Sequence, residues 1–148
     1  VSFDPDEVAD RLGLQPHPEG GRFREYWRSG ETVTRPDGAV RSVATAIHFL
    51  LGDDDESAWH TVRSDELWLW QGGGTLEIGL AGDGATPSES PQTVLLGPAG
   101  HGNLTVLVPA GHWQNARPVD GAVLVSCVVA PGFDFADFRL LGDPNQVR

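Results

Sequence analysis

From Gly21 onward the apolar residues of this chain recur at every second position, in runs of strand length separated by Gly- and Pro-rich reversals. Side chains alternate faces along an extended strand but not along a helix, so this period commits most of the chain to β-structure. The reversals are chemically explicit: Arg35-Pro-Asp-Gly38, Gly52-Asp-Asp-Asp55, Gly72-Gly-Gly74, Gly82-Asp-Gly84, Gly97-Pro98, Pro109-Ala-Gly111 and Val119-Asp-Gly121. Between them the pattern predicts strands near 21–28, 40–51, 57–62, 66–71, 75–81, 92–96, 104–108, 112–117, 122–130 and 135–140. No helices alternate with these strands to cover a parallel sheet, so the fold class is all-β, a sandwich or barrel. One segment departs from the period. Asp4 as N-cap, Pro5 at the first helical position, Glu7 closing a capping box and Gly13 as stop predict a short helix over about 4–13. Residues 81–91, rich in Gly, Ser, Thr and Pro, read as an exposed loop.

A chain of 148 residues suits one domain, here read as 1–148 with the barrel over about 21–141. Cys127 is the only cysteine, which excludes an internal disulfide framework. Ten basic against twenty-one acidic residues give a net charge of −11, the wrong sign for a phosphate backbone or an anionic membrane surface. No apolar run approaches the ~18 residues of a membrane span, and the first residues lack a signal-peptide pattern. These features predict a cytoplasmic protein whose partner is a small molecule rather than nucleic acid or membrane.

The window most informative about chemistry is Ser57-Ala-Trp-His60-Thr-Val62-Arg-Ser-Asp-Glu66-Leu-Trp68-Leu-Trp70. Alternation places His60 and Val62 on one face of the first strand, and Glu66, Trp68 and Trp70 on one face of the second. With Ser64-Asp65 as the reversal of a hairpin, an imidazole and a carboxylate meet on an indole-flanked surface. Apolar surroundings raise a carboxyl pKa and strengthen its interaction with a neighbouring imidazole, as proton transfer requires; a purely structural His–Glu pair fits the same pattern.

This window and a second, Pro109-Ala-Gly111-His112-Trp-Gln114, together resemble the two motifs of the cupin superfamily. Further landmarks sharpen the resemblance: Pro18-Glu-Gly-Gly21, Arg24-Glu25, Ala44-Thr-Ala-Ile47, Ser64-Asp-Glu66 and Ser126-Cys-Val-Val-Ala-Pro-Gly-Phe-Asp-Phe135. They look like a compact cupin branch known mainly as a domain of unknown function. The resemblance implies a double-stranded β-helix, or jelly-roll barrel, with an internal pocket and a homodimeric assembly. At the four positions where the generic family has metal ligands stand His60, Val62, Glu66 and Gln114. Val62 cannot coordinate and Gln114 offers a neutral amide, so the three-His, one-Glu set is absent.

The favoured expectation is a metal-independent isomerase or epimerase-like enzyme acting on a polar metabolite or sugar derivative, with no cofactor. His60 shuttles the proton, Glu66 orients it, Gln114 meets a developing oxyanion, and Trp68 and Trp70 form a stacking wall; His48 and Arg24 complete the substrate-binding set. One alternative is a metal-dependent enzyme in which His48 joins His60 and Glu66. Another is a binding module without catalysis. His17 and His101 fall in loops and receive no role. Cys127, inside an apolar run, reads as an inert core residue.

Overall fold

The computed structural model describes residues 3–143; the outermost residues of the predicted domain, 1–2 and 144–148, lie outside them. The helix α1 spans Pro5–Leu12. Asp4 caps it by accepting from the backbone N–H groups of Asp6 and Glu7 at 3.0 and 3.3 Å, and Gly13 closes it in the left-handed conformation at φ 67°. The Glu7 carboxylate does not close the expected box; it pairs with Arg11 one turn on, at 3.2 Å.

Among the described residues thirteen β segments follow: β1 (Gln15–Pro16), β2 (Arg22–Arg28), β3 (Thr32–Thr34), β4 (Val40–Ser42), β5 (Thr45–Leu51), β6 (Ser57–Val62), β7 (Asp65–Gly73), β8 (Leu76–Leu80), β9 (Gln92–Leu96), β10 (Thr105–Val108), β11 (Gln114–Pro118), β12 (Val123–Ala130) and β13 (Phe138–Leu140). They form a six-stranded sheet in the order β1-β2-β5-β12-β7-β10 and a five-stranded sheet in the order β13-β6-β11-β8-β9. Every ladder is antiparallel. Inward residues of both sheets share one core, with Phe49, Trp68, Leu76, Ile78, Leu96 and Val123 at its centre. This is a jelly roll. The helix lies on the outer face of the six-stranded sheet, where Ala9 and Leu14 bury Leu50.

Three departures from the sequence reading have local causes. The predicted strand 40–51 is two strands, because the chain turns at Val43 and Ala44. There the Ser42 hydroxyl donates to the carbonyls of Ser29 and Ala44. β4 then pairs only with β3, an exposed three-residue strand too short to show a period. The predicted strand 135–140 opens as a 3-10 turn, Phe135–Asp137, because the Asp134 carboxylate captures the N–H of Ala136 at 2.8 Å. Most consequential for the site, β6 and β7 do not form a hairpin. β6 pairs with β11 and β13 in one sheet, β7 with β12 and β10 in the other, and the chain crosses between sheets at Arg63 and Ser64.

Candidate active site

Because β6 and β7 belong to opposed sheets, their inward side chains meet across the barrel interior instead of side by side. A cavity of about 430 Å³ opens at one end of that interior. Its deep wall carries His17, Glu19, Glu66 and Cys127, its sides Phe23, Ile47 and Phe133, and its mouth Glu25, Arg28, Asp134 and Phe135.

Glu19 comes from the loop between β1 and β2. Its carbonyl accepts the N–H of Ala58 at 2.8 Å, which ties the loop to β6. The following Gly20, at φ 112°, lies so close to the carbonyl of Glu56 that a Cβ there would overlap it. Glycine at this position is what brings Glu19 into the barrel. The carboxyl is buried, and the Ser57 hydroxyl donates to its Oε2. Its other oxygen, Oε1, lies 3.5 Å from His17 Nδ1 and 3.5 Å from His60 Nε2.

The hydrogen bonds of the two imidazoles determine what those contacts are. His17 Nδ1 accepts the backbone N–H of Glu19 at 3.1 Å, so it carries no proton. His60 Nδ1 faces the carbonyl of Ala58 at 2.7 Å and must donate, which leaves Nε2 bare in the neutral ring. Two bare nitrogens facing one carboxyl oxygen repel it unless that oxygen bears a proton. With both imidazoles neutral, this arrangement favours the protonated form of Glu19 over an ion pair. The electrostatics agree: burial pushes the Glu19 carboxyl up to about 8 against the Ser57 hydrogen bond. Burial, with the neighbouring His60, lowers His17 to about 4. Burial also lowers His60, against the opposing pull of Glu66 and the Ala58 carbonyl.

Glu66, on β7, is held by a chain of amide contacts. The Trp68 indole N–H donates to Gln114 Oε1 at 2.9 Å, which orients the amide so that Nε2 donates to Glu66 Oε1 at 2.8 Å. Burial raises this carboxyl to about 7; His60 opposes the rise, Glu19 adds to it, and Gln114 and the Cys127 thiol lower it. The Cys127 thiol is itself pushed well above its ordinary value by burial and by the two carboxyls, so it stays un-ionised.

The sequence-predicted residues are distributed differently from the expectation. Glu66 lines the cavity. His60 is 1 % exposed and sits behind the wall, in contact with Glu19. Gln114 and Trp68 are buried partners of Glu66, not oxyanion donor and stacking wall, because their polar atoms are spent on each other. Trp70 packs into the core, with its N–H on the carbonyl of Gly74. The aromatic rings that line the cavity are instead the phenyl rings of Phe23, Phe133 and Phe135. His48 and Arg24 face outward, since they alternate with the inward Ile47, Phe49 and Phe23. His48 stacks on Tyr26 at 4.2 Å and contacts Gln71, and Arg24 donates to the carbonyl of Leu12. His17 and Glu19, unassigned from sequence, are central. Their available signal was Pro18-Glu-Gly-Gly21, two glycines directly after an acid.

The generic family implies a metal, and the residues present do not fit one. Among the described residues no three His, Cys, Asp or Glu side chains converge as a ligand set. His48 is on the outer face, Val62 has no donor atom, and the Gln114 carbonyl oxygen is occupied by the Trp68 N–H.

Two solved structures resemble the chain closely. A hypothetical protein from Leishmania major is 32% identical with a TM-score of 0.81, covering 90% of this chain and 85% of its own. A protein from Shewanella oneidensis is also 32% identical with a TM-score of 0.81, covering 95% and 85%. An oxalate decarboxylase from Bacillus subtilis, 14% identical with a TM-score of 0.60 over 86% of this chain and 30% of its own, shares the fold alone. No curated protein matches the chain. Residues 6–141 match the cupin superfamily (DUF985), nearly the whole described chain, and the protein belongs to that family.

Proposed function

We propose that the protein is a metal-independent isomerase or epimerase-like enzyme that moves a proton next to the carbonyl of a small polar metabolite or sugar derivative. The observation that carries this reading is a pair of buried carboxyls, Glu19 and Glu66, facing the same cavity, with burial raising both toward neutral pH. Enolisation needs an acid at the carbonyl oxygen and a base at the adjacent carbon, each poised near neutral pH. Glu66, as carboxylate, takes the proton from the carbon. The C–H electron pair becomes the C=C bond of the enol, and the carbonyl π pair moves to oxygen, which takes the Glu19 proton. The Ser57 hydroxyl holds the resulting Glu19 carboxylate, and the bare His60 Nε2, 3.5 Å away, favours the return of the proton to Glu19. Reversal onto the other face of the carbon, or onto the neighbouring carbon, completes the isomerisation. In this scheme Glu19 and Glu66 are the catalytic residues, and His60 acts through Glu19.

The test is hydrogen exchange in D2O followed by proton NMR on hydroxy-carbonyl compounds. Glu66→Gln and Glu19→Gln are each expected to slow the exchange by roughly 10²–10⁴-fold, the usual contribution of a general acid or base. Full exchange in Glu66→Gln would overturn the reading. Tight binding with no exchange in the wild type would make the protein a binding module instead.

A homodimer belongs to the same proposal. The row Trp27–Ala46–Val128–Leu67–Leu107 runs in register across the outer face of β2, β5, β12, β7 and β10 and bears no charge. Trp27 and Leu107 at its ends are 48% and 52% exposed.

A further inference from the structure

The proton-transfer reading leaves open what kind of molecule the cavity takes, and the charges facing it narrow the answer. Resting on that reading, we propose that the ligand is an uncharged hydroxy-carbonyl compound, a free sugar of monosaccharide size, and not a sugar phosphate, a nucleotide sugar or an amine.

Every ionisable group that faces the cavity is matched by another part of the protein. Glu19 is held by the Ser57 hydroxyl on Oε2 and flanked at Oε1 by the His17 and His60 nitrogens. Glu66 is held by Gln114 and sits beside His60. At the mouth, the Arg28 guanidinium forks onto Glu25, Nε to Oε2 at 3.0 Å and Nη2 to Oε1 at 2.7 Å; the same Nη2 donates to the carbonyl of Phe133 at 3.0 Å. Asp134 lies 3.9 Å from Arg41. A phosphate or carboxylate entering here would meet Glu25 and Asp134 beside the one arginine of the wall, and would leave water without a compensating charge. An ammonium group would meet Arg28 at the mouth and, inside, carboxyls already held by Ser57 and Gln114.

A hydroxylated ligand meets neither penalty. The mouth offers carboxylate oxygens that accept from hydroxyl groups and guanidinium N–H groups that donate to them. The deep wall offers the carboxyl groups of Glu19 and Glu66, which exchange hydrogen bonds with carbonyl and hydroxyl groups of a ligand. Between these polar ends, Phe23 and Phe133 present the apolar surface on which the C–H face of a sugar packs. The volume of about 430 Å³ lies toward the small end of ligand cavities, roughly 300–1,000 Å³. That suits one sugar unit.

The test compares matched probes by isothermal titration and saturation-transfer NMR at pH 7. D-glucose, D-fructose and D-ribose are set against D-glucose 6-phosphate, D-fructose 6-phosphate, D-ribose 5-phosphate and D-glucosamine. At least one free sugar is expected to bind ten or more times tighter than its charged counterpart. In Glu25→Gln, which removes the counter-charge of Arg28, the phosphorylated sugars should gain at least tenfold. A phosphate or amine preferred by the wild type, binding by none of the probes, or an unchanged preference in Glu25→Gln would overturn the ligand class. The two readings fail separately. Free-sugar binding without exchange in D2O ends the proton-transfer scheme alone, and exchange confined to a phosphorylated sugar ends the ligand class alone.

Discussion

A carboxyl oxygen placed between two unprotonated imidazole nitrogens is stable only with its own proton, and Glu19 is in that position. This makes its protonation part of the folding equilibrium. In the unfolded chain the group ionises near its ordinary 4.5, and in the folded chain near 8, so between those values the folded state holds the extra proton. Stability contributed by Glu19 is thus complete below about pH 4.5 and is lost as pH rises toward 8. His17 works in the opposite sense: its pKa falls from 6.5 to about 4, so its contribution is present above 6.5 and is lost as pH falls toward 4. Above pH 6.5 the carboxyl trend stands alone, with Glu66 adding to it up to about 7. Urea unfolding should therefore show stability declining between pH 6.5 and 8.5 in the wild type. In Glu19→Gln most of that decline should vanish, leaving the part due to Glu66. An equally steep slope in that variant would show that Glu19 is ionised in the fold. At this scale the sequence exposed Glu66 and His60 through their positions on alternating strands. It did not expose the Glu19 proton, which depends on hydrogen bonds to Ala58 and to the Glu19 backbone.

Elements decide which of these residues can meet. The alternation within β6 and β7 was legible, and the inward faces are those expected, with His60 and Val62 on one and Glu66 and Trp68 on the other; Ser57 is buried with them through a register shift in the β6–β11 pairing. Their pairing was not legible, because two adjacent strands joined by a short reversal look alike whether they share a sheet or face each other across a barrel. A second ambiguity lies in β2. A register irregularity between Glu25 and Trp27 breaks strict alternation, so Arg24 and Tyr26 stay outside while Arg28 reaches the cavity mouth. The loop carrying Glu19 is the most constrained connection of the site, and Gly20 is its pivot. Gly20→Ala forces a Cβ toward the Glu56 carbonyl at a φ that L-residues rarely adopt, a strain of about 1–3 kcal/mol. The expected result is a destabilisation of that size in chemical denaturation, together with loss of hydrogen exchange as Glu19 moves from the wall. Wild-type stability and exchange in Gly20→Ala would show that the loop is free to adapt.

For the whole molecule, the jelly roll has two outer faces of different character. α1 covers one part of the six-stranded sheet through Leu50, and the part beyond it is open, with Tyr26, Trp27, Leu67 and Leu107 exposed. An uncharged row on a chain of net charge −11 is where two copies can approach with least repulsion. A two-fold axis through the middle of the row would set Trp27 of each copy against Leu107 of the other, the self-complementary arrangement of a symmetric dimer. Sedimentation velocity should give about twice the chain mass for the wild type and the single-chain mass for Trp27→Glu. A monomeric wild type would remove the dimer. What the sequence determined by itself is the all-β architecture, the capped helix and the family, because these follow from local periodicity, turn chemistry and ordered motifs that any single strand or loop carries. What only the tertiary structure decided is the site. His17, Glu19, His60 and Glu66 come from a loop and two opposed sheets, and their protonation states depend on burial and on neighbours far along the chain, which no local pattern encodes.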